Sequence, residues 1–330
     1  MRLLKRLSNR GRDLLFVPPL DRHWRRRRRG RTDCLLYHRV DLPGQVPFLD
    51  AYGVPPIPPE QLEAELAFLQ RQGALFLTFA DLLRGVQPPP DRFAVLVSFD
   101  DGLLDNYTNG LAVLGRLGIR ATIFQSSALV DAEQLIWEHA LYWIWNQPEL
   151  EPQLTALAQR RLPALAHLQG RALLEALREQ VPIPAVESLL AEFRQTVDCG
   201  EAMAEQARRL YPRRADLLRA RSAGHEIGSH GHHHYPRRSL EDGAFEEELV
   251  RSASLLGELL GERPQAFSYP FNSYAPGDDQ LCGRHYRQVA TVDGRPIERD
   301  TSPLALPRFT WPGPHRNPLH RRRWLWTGRL

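Results

Sequence analysis

The chain has 330 residues, of which 42% are hydrophobic and 25% are charged, and its formal net charge is +4. These ordinary globular values exclude a wholly disordered, a collagen-like or a disulfide-scaffold protein. The length allows one large α/β domain or two smaller ones.

The charge is unevenly distributed along the chain. Residues 1–31 hold 12 Lys and Arg against 2 Asp and Glu, and residues 308–330 hold 6 Arg and no acid, so the body between them is acidic. We interpret residues 1–31 as a basic N-terminal extension, either a solvated tail or a segment that contacts an acidic membrane surface. Residues 311–330 are expected to form a basic C-terminal tail. Because interleaved aromatics and a nucleic-acid-binding module are missing, we expect no nucleic-acid partner.

The sequence favours a cytoplasmic location. No segment approaches the roughly 18 apolar residues of a membrane span. The apolar stretch from Leu14 to Val17 is too short for the core of a signal peptide. Three widely separated cysteines, an odd number, are typical of a reducing compartment. A cytoplasmic protein with peripheral membrane contact through its basic N-terminus is compatible with the same observations.

Apolar patterning predicts alternating strands and helices in the first part of the chain. Strands are expected at 34–37, 75–79, 93–99 and 121–124, and helices at 60–72, at 81–84 and through 111–117, with a Pro-rich loop at 43–59. Residues 93–99 are continuously apolar, which is typical of a strand buried on both faces.

Residues 136–222 interrupt this alternation. They are rich in Ala, Leu, Glu and Arg, and we interpret them as a helical insertion within a catalytic domain that spans residues 32–310. The alternation resumes with a strand at 226–229, a helix that Ser239 opens and Gly261 ends, and strands at 265–269 and 287–292. Such alternation predicts parallel βα units.

Two adjacent carboxylates, Asp100 and Asp101, follow the most buried predicted strand. Ligand sites form at the C-terminal ends of strands in barrels and open parallel sheets. Like charges this close need a compensating cation, so one carboxylate could bind a metal ion while the other acts as a base. An ordinary Asp-Gly turn is the alternative.

Five of the 12 histidines lie between residues 225 and 234. His230 and His234 are spaced i,i+4, which places both imidazoles on one side of a helical turn, and imidazole is a common metal ligand. Together with one Asp they form a two-histidine, one-carboxylate face. Such a face serves both hydrolases and non-haem iron oxygenases, but the additional Asp100 favours hydrolysis because it can act as a base.

A third cluster, Ser268-Tyr269-Pro270-Phe271, ends the predicted strand at 265–269. Pro270 would fix the backbone there, so that the N–H of Phe271 could face a developing oxyanion. An aromatic strand end that packs in the core is the alternative.

The three clusters, in this order, resemble the polysaccharide deacetylase family, the NodB-homology carbohydrate esterases. Asp100-Asp101-Gly102 resembles its first motif, residues 230–234 its His-Ser/Thr-x-x-His motif, and residues 268–271 its Arg-x-Pro-Tyr motif. The resemblance covers roughly residues 33–135 and 224–310. It implies a distorted (β/α) barrel, here with the helical insertion, and hydrolytic removal of N-acetyl groups from the amino sugars of a polysaccharide, oligosaccharide or lipid-linked glycan.

The resemblance also implies residue roles. Asp101, His230 and His234 would bind a divalent metal ion, for which we expect Zn²⁺. Asp100 would be the general base, and the backbone N–H of Phe271 would stabilise the oxyanion. Tyr269 and Trp137 are candidate contacts for the sugar, although the spacing of Trp137 with its neighbouring tryptophans also suits packing on the barrel.

The sequence departs from the family pattern at three places. Gly231 replaces a Ser or Thr, and Ser268 replaces an Arg that contacts the base. We hypothesise that Arg308 supplies this cation and orients Asp100. The Leu-x-His motif that carries the general acid is absent, and His38 is the best substitute as acid or as substrate contact. Hydrolysis of another C–N bond and a non-catalytic carbohydrate-binding role remain alternatives.

Overall fold

Parallel strands and surrounding helices make up the structure, a computed structural model that describes residues 13–313 and 317–328. The strands of these residues are Thr32–Tyr37 (β1), Ala74–Leu77 (β2), Phe93–Phe99 (β3), Thr122–Gln125 (β4), Glu226–Ser229 (β5), Ala266–Ser268 (β6), Gln288–Thr291 (β7), Leu306–Pro307 (β8) and Phe309–Thr310 (β9).

The strands form one nearly closed barrel. Their order is β8-β7-β6-β5-β4-β3-β1-β9, with β2 paired to β3, and every pairing in this sheet is parallel. The two ends of the order, β8 and β9, are separated in the chain by Arg308 alone. One short segment therefore completes the barrel on both sides, and the predicted distorted (β/α) barrel is confirmed.

Strands β1 and β3 are neighbours in the sheet, and both are buried over their whole length. Their register pairs Tyr37 with Phe99, so both strands end at the same level. The next residues, His38 and Asp100, consequently emerge together at the C-terminal edge of the barrel. Parallel strands place their carboxyl ends on one edge, where the loops can assemble a site.

The helices of the described residues cover the barrel and build the insertion. They are Asp21–Arg27 (α1), Pro47–Tyr52 (α2), Pro59–Arg71 (α3), Phe79–Leu83 (α4), Leu111–Leu117 (α5), Trp137–Trp145 (α6), Glu151–Arg161 (α7), Gly170–Glu179 (α8), Ile183–Thr196 (α9), Gly200–Leu210 (α10), Arg214–Ser222 (α11), Asp242–Leu260 (α12), Asp278–Cys282 (α13) and Pro318–Thr327 (α14).

The helical insertion has a hydrophobic core of its own. Its helices α6 to α10 bury apolar side chains in one cluster, which also contains Phe48 and Leu49 of α2. Helix α11 instead contributes Leu217 and Ala220 to the core of the barrel. All of residues 136–222 are described, and they contain helices but no strand, so the predicted helical character of this stretch is confirmed.

The described parts of both basic ends pack on the barrel. Arg28 forms an ion pair with Asp33 and donates to the Leu325 carbonyl oxygen over 2.5 Å, and Arg322 of α14 forms an ion pair with Asp21. The prediction of a solvated N-terminal tail is therefore wrong for residues 13–31, and the prediction of a C-terminal tail is wrong for residues 317–328. Residues 1–12 lie outside the described residues.

Aromatic side chains explain this packing. Trp324 and Trp326 are 2% exposed, and the Arg28 guanidinium lies 4.5 Å from the centre of the Phe93 ring. Arginine stems and guanidinium faces pack well on aromatic rings. The charge distribution along the sequence, from which the tails were predicted, contains no information on such contacts.

Several element boundaries differ from the sequence-based expectations. Phe79 begins α4 instead of ending a strand, because Thr78 caps that helix in a capping box with Asp81. The helix expected to open at Ser239 begins at Asp242. Helix α2 lies within the predicted Pro-rich loop, and the short strands β8 and β9 were not predicted.

No helix among the described residues is long and apolar enough to cross a membrane.

Candidate active site

A cavity of about 300 Å³ lies at the C-terminal ends of the barrel strands. The loop after β3 contributes Asp100 and Asp101 to its lining, and the loop after β5 contributes His230 and His234. Side chains from the loops after β1 and β6 and from the insertion also line it, among them His38, Arg39, Glu138, His139, Arg178, Tyr269 and Phe271.

Three side chains in this cavity form a cluster that could hold a metal ion. Nε2 of His230 lies 3.5 Å and Nε2 of His234 lies 3.2 Å from Oδ1 of Asp101. One ligand atom from each of the three residues lies within 4.8 Å of the others. The residues predicted as a ligand set from their types and spacing thus lie together.

The Nδ1 atoms of His230 and His234, which face away from Asp101, each have a hydrogen-bond acceptor. Nδ1 of His230 lies 2.8 Å from the carbonyl oxygen of Ser268, and Nδ1 of His234 lies 3.1 Å from Oε2 of Glu138. Because a carbonyl oxygen or a carboxylate only accepts, both Nδ1 atoms carry a proton, and each Nε2 atom faces Asp101. Such partners fix the tautomer of metal-binding histidines.

The electrostatics of the cluster favour a bound cation. Burial lowers the pKa of His234, but the hydrogen bonds and charges of Asp101 and Glu138 outweigh it and raise that pKa to about 10. The two carboxylates around His234 thus favour a positive charge at this position, either a proton on the imidazole or a cation bound in its place. The donor set, the tautomers and the excess negative charge therefore fit a divalent metal ion.

Asp100 forms a two-point ion pair with Arg308. Nη1 and Nη2 of Arg308 lie 2.6 and 2.8 Å from the two carboxylate oxygens of Asp100. The hydroxyl of Ser268 donates to Asp100 over 3.2 Å. Burial raises the pKa of Asp100, but the Arg308 charge and hydrogen bonds outweigh it, so that this pKa is lowered. Asp100 is therefore held ionised in a fixed orientation.

The site contains most of the strained backbone of the described residues. Positive φ angles occur at Asp101 (71°), His234 (60°), Phe271 (57°) and Asn272 (50°), and all four residues line the cavity. Residues other than glycine rarely adopt positive φ angles, and such strained conformations are concentrated at functional sites.

The sequence suggested that the i,i+4 spacing of His230 and His234 reflects a helical turn. This prediction is wrong, because residues 230–236 form a loop.

Gly102 allows the turn that carries both aspartates. Its φ is +75°, and a Cβ atom there would lie 2.2 Å from Oε1 of Gln125. The side chain of Gln125 is itself held by the Tyr107 hydroxyl, which donates to Oε1 over 2.7 Å. A residue with a side chain at position 102 would thus have to displace Gln125 as well as adopt a disfavoured backbone conformation.

The remaining predicted site residues occupy different environments. His38 is half-buried and lines the cavity, and its carbonyl oxygen accepts a hydrogen bond from Asn106. Tyr269 also lines the cavity, with its hydroxyl 3.3 Å from Sγ of Cys282. Trp137 is 4% exposed and belongs to the core of the insertion, where its ring centre lies 6.3 Å from that of Phe271.

Residues of the insertion contact the candidate metal centre. The sequence did not predict this contact. Oε1 of Glu138 accepts from the Tyr142 hydroxyl over 2.7 Å and lies 3.7 Å from Nη2 of Arg178. Glu138 is 6% exposed, and burial lowers the pKa of its neighbour His139 to about 4. The signal in the sequence was Glu138 itself, which is the one acidic residue in the mostly apolar and aromatic stretch 137–145.

The fold and its motifs have known relatives. The sequence model of the family described as polysaccharide deacetylase matches residues 87–279, which is more than half of the chain. The chain belongs to the polysaccharide deacetylase family. YxkH of Bacillus subtilis (strain 168), named for polysaccharide deacetylation, is 30% identical over 99 residues, which are 28% of this chain and 36% of YxkH. The aligned part thus spans only about a third of that curated relative.

Solved structures of family members have the same fold. A polysaccharide deacetylase from Bacillus cereus is 16% identical, with a TM-score of 0.55 over 90% of this chain and 69% of its own. IcaB from Ammonifex degensii is 17% identical, with a TM-score of 0.56 over 90% of this chain and 97% of its own. The family comprises hydrolases that act on the C–N bond of N-acetyl groups.

Proposed function

We propose that this protein is a metal-dependent hydrolase that removes N-acetyl groups from the amino sugars of a glycan. The observation that carries the proposal is the adjacency of Asp101, with its two histidines, to an ionised Asp100 in one cavity. A metal-ligand set beside a fixed base is an arrangement that can hydrolyse an unactivated amide, because the ion polarises the carbonyl group and the base activates water.

Asp101, His230 and His234 would hold the metal ion. We propose Zn²⁺, because two histidines and one carboxylate are a common zinc ligand set that leaves a position open for substrate. When bound, the ion supplies Lewis-acid polarisation of the acetamide carbonyl and lowers the pKa of water. Glu138 and the Ser268 carbonyl keep both Nδ1 atoms protonated, so that both Nε2 atoms can act as ligands.

Asp100 is the proposed general base. It accepts the proton of the attacking water through a carboxylate lone pair that its hydrogen bonds with Arg308 and Ser268 leave available. Arg308 acts as a positioning residue, since its planar guanidinium fixes both carboxylate oxygens at once. In this way Arg308 replaces the cation that position 268 lacks.

The other steps are assigned to groups that line the same cavity. The backbone N–H of Phe271 would stabilise the oxyanion that develops on the acetamide oxygen. His38 would donate the proton that the leaving amine requires, after which acetate and the free amino sugar are released. Tyr269, which lines the cavity, would contact the sugar.

The substrate, the domain organisation and the location are part of the same proposal. The substrate would be an N-acetylated glycan destined for the cell surface, modified in the cytoplasm. The catalytic domain would span residues 32–310, with residues 136–222 inserted in it. Contact with an acidic membrane would involve residues 1–31, whose exposed basic positions include Arg25, Arg26, Arg27 and Arg29.

Metal content and acetate release test the proposal together. Purified protein is analysed for bound metal and assayed on a panel of N-acetylated glycans and small amides, with Asp100→Asn as the inactive variant and the exposed Asp91→Asn as the matched control. We expect one metal ion per chain, acetate release from glycans, and loss of turnover only in Asp100→Asn. Metal-free protein without turnover would favour a carbohydrate-binding role, and turnover of small amides alone would favour another C–N hydrolase.

A further inference from the structure

A second cavity, of about 580 Å³, lies on the helical insertion beside the reaction cavity. Its lining includes Trp145, Gln159, Gln169 and Arg171, and it also includes Tyr52 of α2. Tyr52 lines the reaction cavity as well. The two cavities therefore share one wall, which a half-exposed tyrosine ring forms.

Helix α6 runs along both cavities. Glu138 and Tyr142 line the reaction cavity, and Trp145 lines the second one. These positions are spaced i, i+4 and i+7, so they form one stripe about 10 Å long on the helix. Glu138, at one end of the stripe, lies with its Oε2 atom 3.1 Å from Nδ1 of the candidate metal ligand His234.

Tyr52 is fixed on this stripe. Its ring is stacked on that of Tyr142, with 6.1 Å between the centres and 19° between the planes. Its hydroxyl donates to the carbonyl oxygen of Trp145 over 3.4 Å. The ring is thus held at the border between the cavities, where a molecule that enters both would have to cross it.

The lining of the second cavity suits a carbohydrate. Sugar rings present an apolar face and a rim of hydroxyl groups. The half-exposed ring of Tyr52 offers flat apolar surface. Gln169 offers its amide to hydroxyl groups, and Gln159 and Arg171 offer the polar atoms that their contacts with the Leu168 carbonyl and Glu175 leave available. A single pyranose ring is shorter than the stripe on α6, whereas two or more linked sugars can span it.

We propose that the second cavity binds the sugar residues next to the N-acetylated sugar undergoing hydrolysis, with Tyr52 stacking on the glycan between the cavities. This inference rests on the proposed deacetylase function, since it takes the reaction cavity as the site of hydrolysis.

The test compares chain lengths in a protein whose second cavity is filled. Ala156 is exposed and lines that cavity, so Ala156→Trp occupies it without altering the reaction cavity. Ala202→Trp, at an exposed position of the insertion outside both cavities, is the matched control. The probes are β-linked N-acetylglucosamine and its oligomers of two to six sugars, for which kcat/KM of acetate release is measured. Binding to the Asp100→Asn variant is measured in parallel by calorimetry.

We expect kcat/KM and affinity to rise with chain length in the unaltered protein. Ala156→Trp should lower kcat/KM on the longest oligomer by about tenfold or more, through KM, and leave the shortest active substrate unaffected. Turnover that is independent of length, or that Ala156→Trp and Ala202→Trp change equally, would overturn the inference and leave the proposed function standing. Absence of both acetate release and binding for every oligomer would overturn both.

Discussion

Replacing Glu138 with glutamine tests the contribution of the insertion to metal binding. Glu138 uses separate oxygens for two donors, Nδ1 of His234 at 3.1 Å and the hydroxyl of Tyr142 at 2.7 Å. Glutamine has a single acceptor oxygen, so one donor loses its partner. If the amide nitrogen faces His234, the imidazole must move its proton to Nε2, which then cannot bind a metal ion.

The expected size of the effect follows from these contacts. A hydrogen bond to a charged group is worth about 1.5–3 kcal/mol, which corresponds to a factor of roughly 10 to 100 in affinity. Outer partners of metal-binding histidines have effects of about this size. We therefore expect Glu138→Gln to bind Zn²⁺ about 10- to 100-fold more weakly than the unaltered protein.

Competition with a chromophoric chelator measures this affinity without any need for turnover. Thermal unfolding with and without Zn²⁺ gives an independent value, because a tenfold weaker Kd removes about 1.4 kcal/mol of metal-induced stabilisation. Tyr142→Phe is the control, since it removes the hydroxyl and leaves the contact between Glu138 and His234. Equal Zn²⁺ affinity in Glu138→Gln and the unaltered protein would refute the reasoning.

Three further substitutions test other parts of the molecule. Arg308→Gln removes the cation that fixes Asp100 and should lower kcat for acetate release by about 100-fold, and near-normal turnover would show that the ion pair is dispensable. Gly102→Ala should lower the free energy of unfolding in urea by about 2 kcal/mol, because its Cβ meets Gln125 and its φ is positive; an unchanged midpoint would contradict this. Burial raises the pKa of Glu65 to about 7, so the folded state loses stability as the pH rises from the unfolded value of 4.5 through 7. Glu65→Gln should accordingly be more stable than the unaltered protein at pH 8, by on the order of 3 kcal/mol, and the difference should vanish by pH 4 in urea titrations of metal-free protein.

The barrel and its motif-bearing loops could be predicted because their signals are local. A continuous apolar run that ends in Asp100-Asp101-Gly102 indicates both a buried strand and the edge of the sheet where its loop lies. Because position 268 lacks an arginine, the sequence predicted that Arg308 supplies the cation beside Asp100. In the structure the Arg308 guanidinium donates hydrogen bonds to Asp100.

Contacts between distant segments account for what the sequence did not reveal. Glu138 and His234 are separated by 96 positions, and their contact depends on how the insertion docks on the barrel. Strands β8 and β9 have two residues each, too few for a periodic pattern. The basic ends pack through tryptophan rings that a charge profile leaves out.

The closure of the barrel around Arg308 has a consequence for how the site matures during folding. The guanidinium reaches a carboxylate 208 positions earlier in the chain, so this ion pair is among the last that a chain growing from its N-terminus can form. Until residues 306–310 are in place, Asp100 lacks its counter-charge and strand β1 lacks a neighbour on one side. The loop-closure entropy of so distant a contact slows its formation, so we expect the base to become competent only when the barrel is complete.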